Sequence, residues 1–307
     1  MVQVFDGLHW WRDLELAEYL VPASLEEALE MLARYGGRAR VVAGGTDVVP
    51  ALRRREYQVE ALVDITRLPG LDRIEQQGRT IHIGALVTHA QAAASTLLRE
   101  RAGLLARGCG AVGSPQIRNV GTLAGNLVSG QPAADASIPL LALGAEVTVV
   151  SAQGQRRLPL GEFFLDLGRT ALDPGREILT RISFPALGPG QGGSFQRLAK
   201  RKALTLPMLV CAVKVSLDES RRVVREAAVA LGPVAPVPWR EPHCEEFLRG
   251  APVNPETIGR AAELAAEHSD PRDSLLRGSR RYRQEMVKVL VRRALEQACV
   301  QAGGAVE

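Results

Sequence analysis

"RVVAGGTDVVP", residues 40–50, decides how this chain is read. An apolar, β-branched run stops at Ala43-Gly44-Gly45, passes Thr46 and Asp47, and resumes at once with Val48. β-Branched residues favour a strand, and the glycine pair admits backbone conformations closed to other residues and lets a ligand approach without a Cβ in the way. Successive N–H groups in such a turn form an anion-binding concavity suited to a phosphate or pyrophosphate. Thr46 and Asp47 add a hydroxyl and a carboxylate at the same place. By itself the stretch fits a plain strand–turn connection at least as well. Its meaning depends on what the rest of the chain supplies.

A second stretch, "RNVGTLAGNL" at 118–127, repeats the recipe with Gly121, Thr122, Gly125 and Asn126. Asp135 follows, just ahead of the apolar "ASIPLLAL". Alone, this too reads as a structural turn. Two such loops in one chain fit a diphosphate clamped from both sides by backbone amides, with the acidic residue on a ribose hydroxyl. "GCGAVG", 108–113, matches a dinucleotide fingerprint by spacing, but helical "RAGLLAR" precedes it where a strand is required. It is rejected. The basic "RRRE" (53–56) reads as a solvated helix end, and "RLAKRK" (197–202) as a salt-bridged surface or a reach toward cofactor phosphates.

The bulk properties narrow the class. The chain has 307 residues, 46% hydrophobic and 23% charged, with a net charge of +4, so it buries a sizeable core and carries no nucleic-acid stripe. Aromatic residues are 4%, too few for base-stacking platforms. Four separated cysteines (Cys109, Cys211, Cys244, Cys299) form neither a disulfide scaffold nor a cluster site, and read as reduced thiols of a cytoplasmic protein. "MVQVFDGLHWWRDLEL" lacks the pattern of a secretory signal, and no apolar run reaches membrane-spanning length. The five histidines show no ligand-like spacing, so no metal site is expected. No Ser/His/Asp set, Cys/His set or carboxylate pair stands out. No catalytic side chain is assigned, and a cofactor must supply the chemistry.

Periodicity predicts a helix over 24–35, capped reciprocally by Ser24 and Glu27. Strands follow at "ARVVA", "ALVDI" (61–65) and "TIHIGAL" (80–86), then one helix over 88–100. Residues 108–135 read as a long loop with little regular structure. A buried helix over "ASIPLLAL" and a hairpin turning at Gln153-Gly154 come next. "PALGPGQGG" (185–193) is the linker. Two long antiparallel strands turn around Asp218–Ser220, and two amphipathic helices (254–268, 281–300) end the chain. Segregated strands and helices favour α+β for this tail.

At these residues the chain resembles the FAD-binding medium subunits of the molybdenum hydroxylases, the family of carbon monoxide dehydrogenase and xanthine dehydrogenase. "VVAGGTDVVPALR" resembles the first FAD loop, "SPQIRNVGTLAGNLVSGQPAADASIPLLALGAEV" the second, and "EILTRISFP", "FQRLAKRKAL" and "AVALGPVAPVPWR" the C-terminal half. The resemblance covers most of the chain. It implies an α+β protein: a vanillyl-alcohol-oxidase-type (PCMH-type) FAD-binding domain of two α/β subdomains, 1–60 and 61–187, and a smaller α+β domain, 188–307.

Ala43 to Val48 would then cradle the FAD pyrophosphate, Thr122, Gly125 and Asn126 would close it, Asp135 would hold the ribose, and Leu179 or Ile178 would line the flavin or adenine pocket. The implied role is electron relay between 2Fe-2S clusters of a small subunit and an acceptor such as NAD or a quinone, with substrate turned over in a molybdopterin-binding large subunit. A stand-alone FAD oxidoreductase and a flavin-less scaffold are the alternatives. Two departures are visible: Ala124-Gly125 stands where the family often has Gly-Gly, and Leu204-Thr205 where an acidic residue is usual. The lack of a cysteine cluster speaks against 4-hydroxybenzoyl-CoA reductase, which carries an extra 4Fe-4S centre in this subunit.

Overall fold

The computed structural model describes residues 16–56, 59–201, 204–275 and 277–306. The N-terminal stretch screened above for a secretion signal, with His9, and Lys202 of the basic run lie outside them. The first unit is a small parallel sheet made of β1 (Glu18–Leu20), β2 (Ala39–Val42) and β3 (Ala61–Asp64), in the order β1-β3-β2. Helix α1 (Leu25–Arg34) leads into β2, and the short α2 (Val48–Arg53) follows it. Ser24 caps α1 by accepting the Glu27 N–H at 3.1 Å. Glu27 reaches back to the Ala23 N–H at 2.5 Å and not to that of Ser24, so the expected reciprocal cap is shifted by one residue. The middle strand of this sheet starts at Ala61, so the sheet extends past the subdomain boundary drawn at 60/61. Arg53 to Glu56 sit exposed at the end of α2.

The second unit is a five-stranded antiparallel sheet. It takes β4 (Ile74–Gln77) and β5 (Thr80–Gly84), then a helical excursion, and returns as β6 (Glu146–Ser151), β7 (Gly154–Pro159) and β10 (Glu177–Pro185). The order is β4-β5-β10-β6-β7. Ile81 and Ile83 are fully buried while their neighbours are half-exposed, as the alternation requires. The excursion comprises α3 (His89–Ala94), α4 (Thr96–Arg101), α5 (Gly103–Ala111), α6 (Pro115–Val120), α7 (Leu123–Val128) and α8 (Ser137–Ala142). A short α9 (Leu160–Phe163) and the ribbon β8 (Phe164–Asp166), β9 (Arg169–Thr170) lie between β7 and β10.

Two expectations are corrected in the excursion. The helix over 88–100 is two helices, because the Ser95 hydroxyl caps the second by accepting from the Leu98 N–H, and Ser95 itself takes an extended conformation. The long loop over 108–135 contains the end of α5, all of α6 and all of α7. Its Ser, Pro, Thr and Gly residues are helix punctuation: Ser114 caps α6 with Pro115 in its first turn, and Thr122 caps α7. "GCGAVG" belongs to the end of α5 with no strand before it, as its rejection required. A Cβ on Gly108 would stand 2.5 Å from the Asp135 carbonyl, a packing reason for that glycine.

The third unit begins after the linker. Strands β11 (Gln191–Leu198), β12 (Leu209–Leu217), β13 (Val224–Gly232) and β14 (Trp239–Arg240) form an antiparallel sheet in that order. Helices α10 (Pro242–Leu248), α11 (Pro255–Glu267) and α12 (Arg280–Gln301) follow; α12 packs on β11 and β12, α10 on β13, and α11 on α10 and α12. Their apolar residues form one core with Val213, Val215 and Val229. On the opposite face α8 packs against β12 and β13, so Ile138, Leu140, Val210 and Ala230 share the core of the large sheet. All four cysteines are buried and unpaired. No described helix is long and apolar enough to cross a membrane.

Candidate functional site

The two glycine loops meet backbone to backbone. A Cβ placed on Gly44 would lie 2.0 Å from the Val120 carbonyl oxygen, so only glycine permits this approach. Gly45 takes φ +68°, a left-handed conformation, and turns the chain from β2 into α2. Hydrogen-bond accounting isolates what is left over. Among the described residues, the N–H groups of Gly44, Gly45, Thr46 and Asp47 donate to no protein acceptor. Four successive amides at one turn are an anion cradle.

The second loop is spent differently. The Gly125 N–H goes to the Thr122 hydroxyl at 3.0 Å and the Asn126 N–H to the Thr122 carbonyl at 3.1 Å. The Leu123 N–H goes to the Val87 carbonyl, and Gly121 in turn accepts from the His89 N–H. Thr122 and Ala124 keep the N–H groups without a protein acceptor there, among the described residues. The Asn126 side chain accepts from Ser137 at 3.3 Å, which ties α7 to α8 and the Asp135 segment.

Asp135 is 6% exposed and ion-paired with Arg197 of β11, Nε to Oδ1, at 2.8 Å. Burial pushes its carboxyl up to about 6, against the pull of Arg197. Leu179 and Ile178 are both buried, but on opposite faces of β10: Leu179 in the large-sheet core, Ile178 against Ala28, Ala39 and Val63 of the first unit. The structure thus joins residues 43–48 with the 121–126 loop. It links Asn126 to the segment after Asp135, and sends Leu179 into the core.

Sequence reasoning missed two groupings. His89 is 2% exposed, with an unpartnered Nδ1, beside Gly121; burial and Arg118 hold it at about 4, hence neutral. Its only sequence signal is its place directly after the capping Thr88. Glu241, His243 and His268 come together as well, with ligand atoms within 4.8 Å of one another. The two imidazoles stack at 3.8 Å with planes 10° apart, and His268 Nδ1 bonds the Leu264 carbonyl at 2.9 Å. An ion shared by such parallel rings would lie well out of both ring planes, away from the nitrogen lone pairs. A cleft of about 700 Å³ opens elsewhere, between α4, α5 and the β10–β11 linker, and none of the predicted site residues lines it.

With this geometry, kinship is decisive. The family described as the FAD binding domain in molybdopterin dehydrogenase matches residues 14–187, and the carbon monoxide dehydrogenase flavoprotein C-terminal domain matches 194–298. The chain belongs to this family of FAD-binding subunits of molybdopterin dehydrogenases, and its cofactor is FAD. It is 34% identical over 281 residues to the 6-hydroxypseudooxynicotine dehydrogenase complex subunit alpha of Paenarthrobacter nicotinovorans, covering 92% of this chain and 94% of that one. It is 32% identical over 281 residues to the carbon monoxide dehydrogenase medium chain of Hydrogenophaga pseudoflava, covering 92% and 96%. A solved carbon monoxide dehydrogenase from Hydrogenophaga pseudoflava superposes with a TM-score of 0.88 at 31% identity, over 93% of this chain and 98% of that one. The fold is therefore that of a FAD-binding domain followed by a flavoprotein C-terminal domain, and the chain is an oxidoreductase subunit.

Proposed function

We propose that this chain is the electron-transferring flavoprotein subunit of a cytoplasmic molybdenum hydroxylase complex. It relays electrons between 2Fe-2S clusters of a small subunit and an external acceptor such as NAD or a quinone, while substrate reacts in a molybdopterin-binding large subunit. The observation that carries the site is the run of unpaired amides from Gly44 to Asp47, pressed against the second loop at Val120. The chain's residues fit FAD: the left-handed Gly45 aims main-chain donors at a pyrophosphate, and Asp135 offers a buried carboxylate to a ribose hydroxyl.

When bound, FAD supplies the capacity to take up and pass on electrons. Gly44, Gly45, Thr46 and Asp47 donate N–H groups to its phosphate oxygens, which keeps the charge in place without reorganisation. Thr122 and Ala124 donate from the opposite jaw, with Ala43, Val48, Gly125 and Asn126 shaping the walls. Leu179, in the large-sheet core, and Ile178, in the core of the first unit, brace β10 from its two faces. Sequence units 1–60 and 61–187 hold the cofactor in this reading, and 188–307 braces it.

The test is the absorption spectrum of the purified chain, with chemical identification of the flavin released on denaturation. FAD is expected, and the isolated chain should turn over no organic substrate. A chain without flavin overturns the site. Turnover by the isolated chain overturns the relay.

A further inference from the structure

We infer that Arg197 is a positioning residue of the flavin site: it pins one oxygen of Asp135 and keeps that carboxylate an acceptor for the cofactor's ribose. The inference rests on the role proposed for Asp135. The geometry is a bracket. Arg197 Nε donates to Asp135 Oδ1 at 2.8 Å, and its other arm donates to the Thr205 carbonyl at 2.6 Å. Both side chains are largely buried, 12% and 7% exposed. Asp135 Oδ2 has no protein partner among the described residues and retains slight solvent contact. One oxygen is fixed and the other is left unpaired.

Chemistry makes the bracket necessary. A buried carboxylate left alone takes up a proton, and the neutral carboxyl is a weaker acceptor for a ribose hydroxyl than the charged carboxylate. Two titratable or charged groups facing Asp135 are Arg197 on β11 and the Cys109 thiol on α5; burial holds that thiol far above its usual range, so it is neutral. Arg197 is then the positive charge opposing protonation. It belongs to the C-terminal domain, 62 residues away, so the flavin-binding domain borrows part of its site.

The experiment is FAD titration of the full, flavin-stripped chain by fluorescence quenching, between about pH 5.5 and 9. Wild-type affinity should fall on acidification with a midpoint near 6, where Asp135 takes up its proton. Arg197→Met should move the midpoint up by about one unit, which weakens binding about twofold at pH 7 and approaches tenfold toward pH 5.5, with recovery in alkali. Arg197→Lys should restore the midpoint in part. Asp135→Asn should bind weakly without this pH dependence.

Equal weakening by Arg197→Met at every pH, with an unmoved midpoint, would show a merely structural role and overturn the inference. Wild-type behaviour of Arg197→Met beside a weakened Asp135→Asn overturns it while sparing the role of Asp135. Unchanged binding by Asp135→Asn overturns both.

Discussion

The loops at 43–47 and 121–126 share a composition of glycines, a threonine and a small polar residue, yet they use it in opposite ways. The first leaves four successive amides unpaired, because Gly45 turns left-handed and no side chain caps α2. The second consumes most of its amides within the fold, through the Thr122 cap and the Val87 carbonyl, and leaves those of Thr122 and Ala124 without a protein acceptor among the described residues. One loop is organised for an outside partner, and the other supports it. Similar composition therefore says little until each donor is accounted for.

The largest effect that could break this comparison is Gly44→Val. Its Cβ would invade the Val120 carbonyl, so a loss of about 3 kcal/mol is expected, read as a lowered denaturation midpoint together with loss of flavin. Gly45→Val is the sharper test. It forces a β-branched residue into the left-handed region, costing about 1–2 kcal/mol, while abolishing FAD binding with the fold kept by circular dichroism. Unchanged flavin content there would remove the first loop from the site.

Thr122→Ala should cost about 1 kcal/mol as a lost cap, and Thr122→Ser should restore it. If the alanine variant lost flavin with no loss of stability, the supporting role of the second loop would be wrong. The smallest effect is an opposition in acid, read on the flavin-stripped chain. Asp135 is raised from 3.8 to about 6, so the native state holds its proton longer and stability falls as pH rises across that window. His89 is lowered from 6.5 to about 4, so stability rises with pH over nearly the same window. The two contributions oppose each other in wild type, and His89→Leu should tilt the melting profile toward a fall with rising pH, relative to wild type, from about pH 4 to 6.

Much of this was legible in the chain. The strands at 39–42 and 61–64 announce themselves by short apolar runs, that at 80–84 by alternation, and the terminal helices by their amphipathic patterning. The segment around 108–128 was not, because six-residue helices laid end to end consist largely of their own caps. The break at Ser95 was hidden likewise, one residue closing a helix and opening the next. Both loops and Asp135 were visible as a recipe. Which amides stay free was not, since that depends on acceptors such as the Val87 carbonyl, brought in from outside the loop. The pairs Asp135–Arg197 and Glu241–His268 join distant positions, and only the folded sheets bring them together.

The bracket at Arg197 has a consequence for how the chain is made. Synthesis delivers residues 14–187 before Arg197 exists, and leading domains generally begin to fold first. During that interval Asp135 has no counter-charge and should fold in its protonated form, giving up the proton when β11 docks. The nascent protein would thus gain late, as the trailing domain arrives, the charge proposed to hold the ribose. Stalled nascent chains ending just before and well beyond residue 197 should differ in FAD retention, and equal retention would rule out this timing.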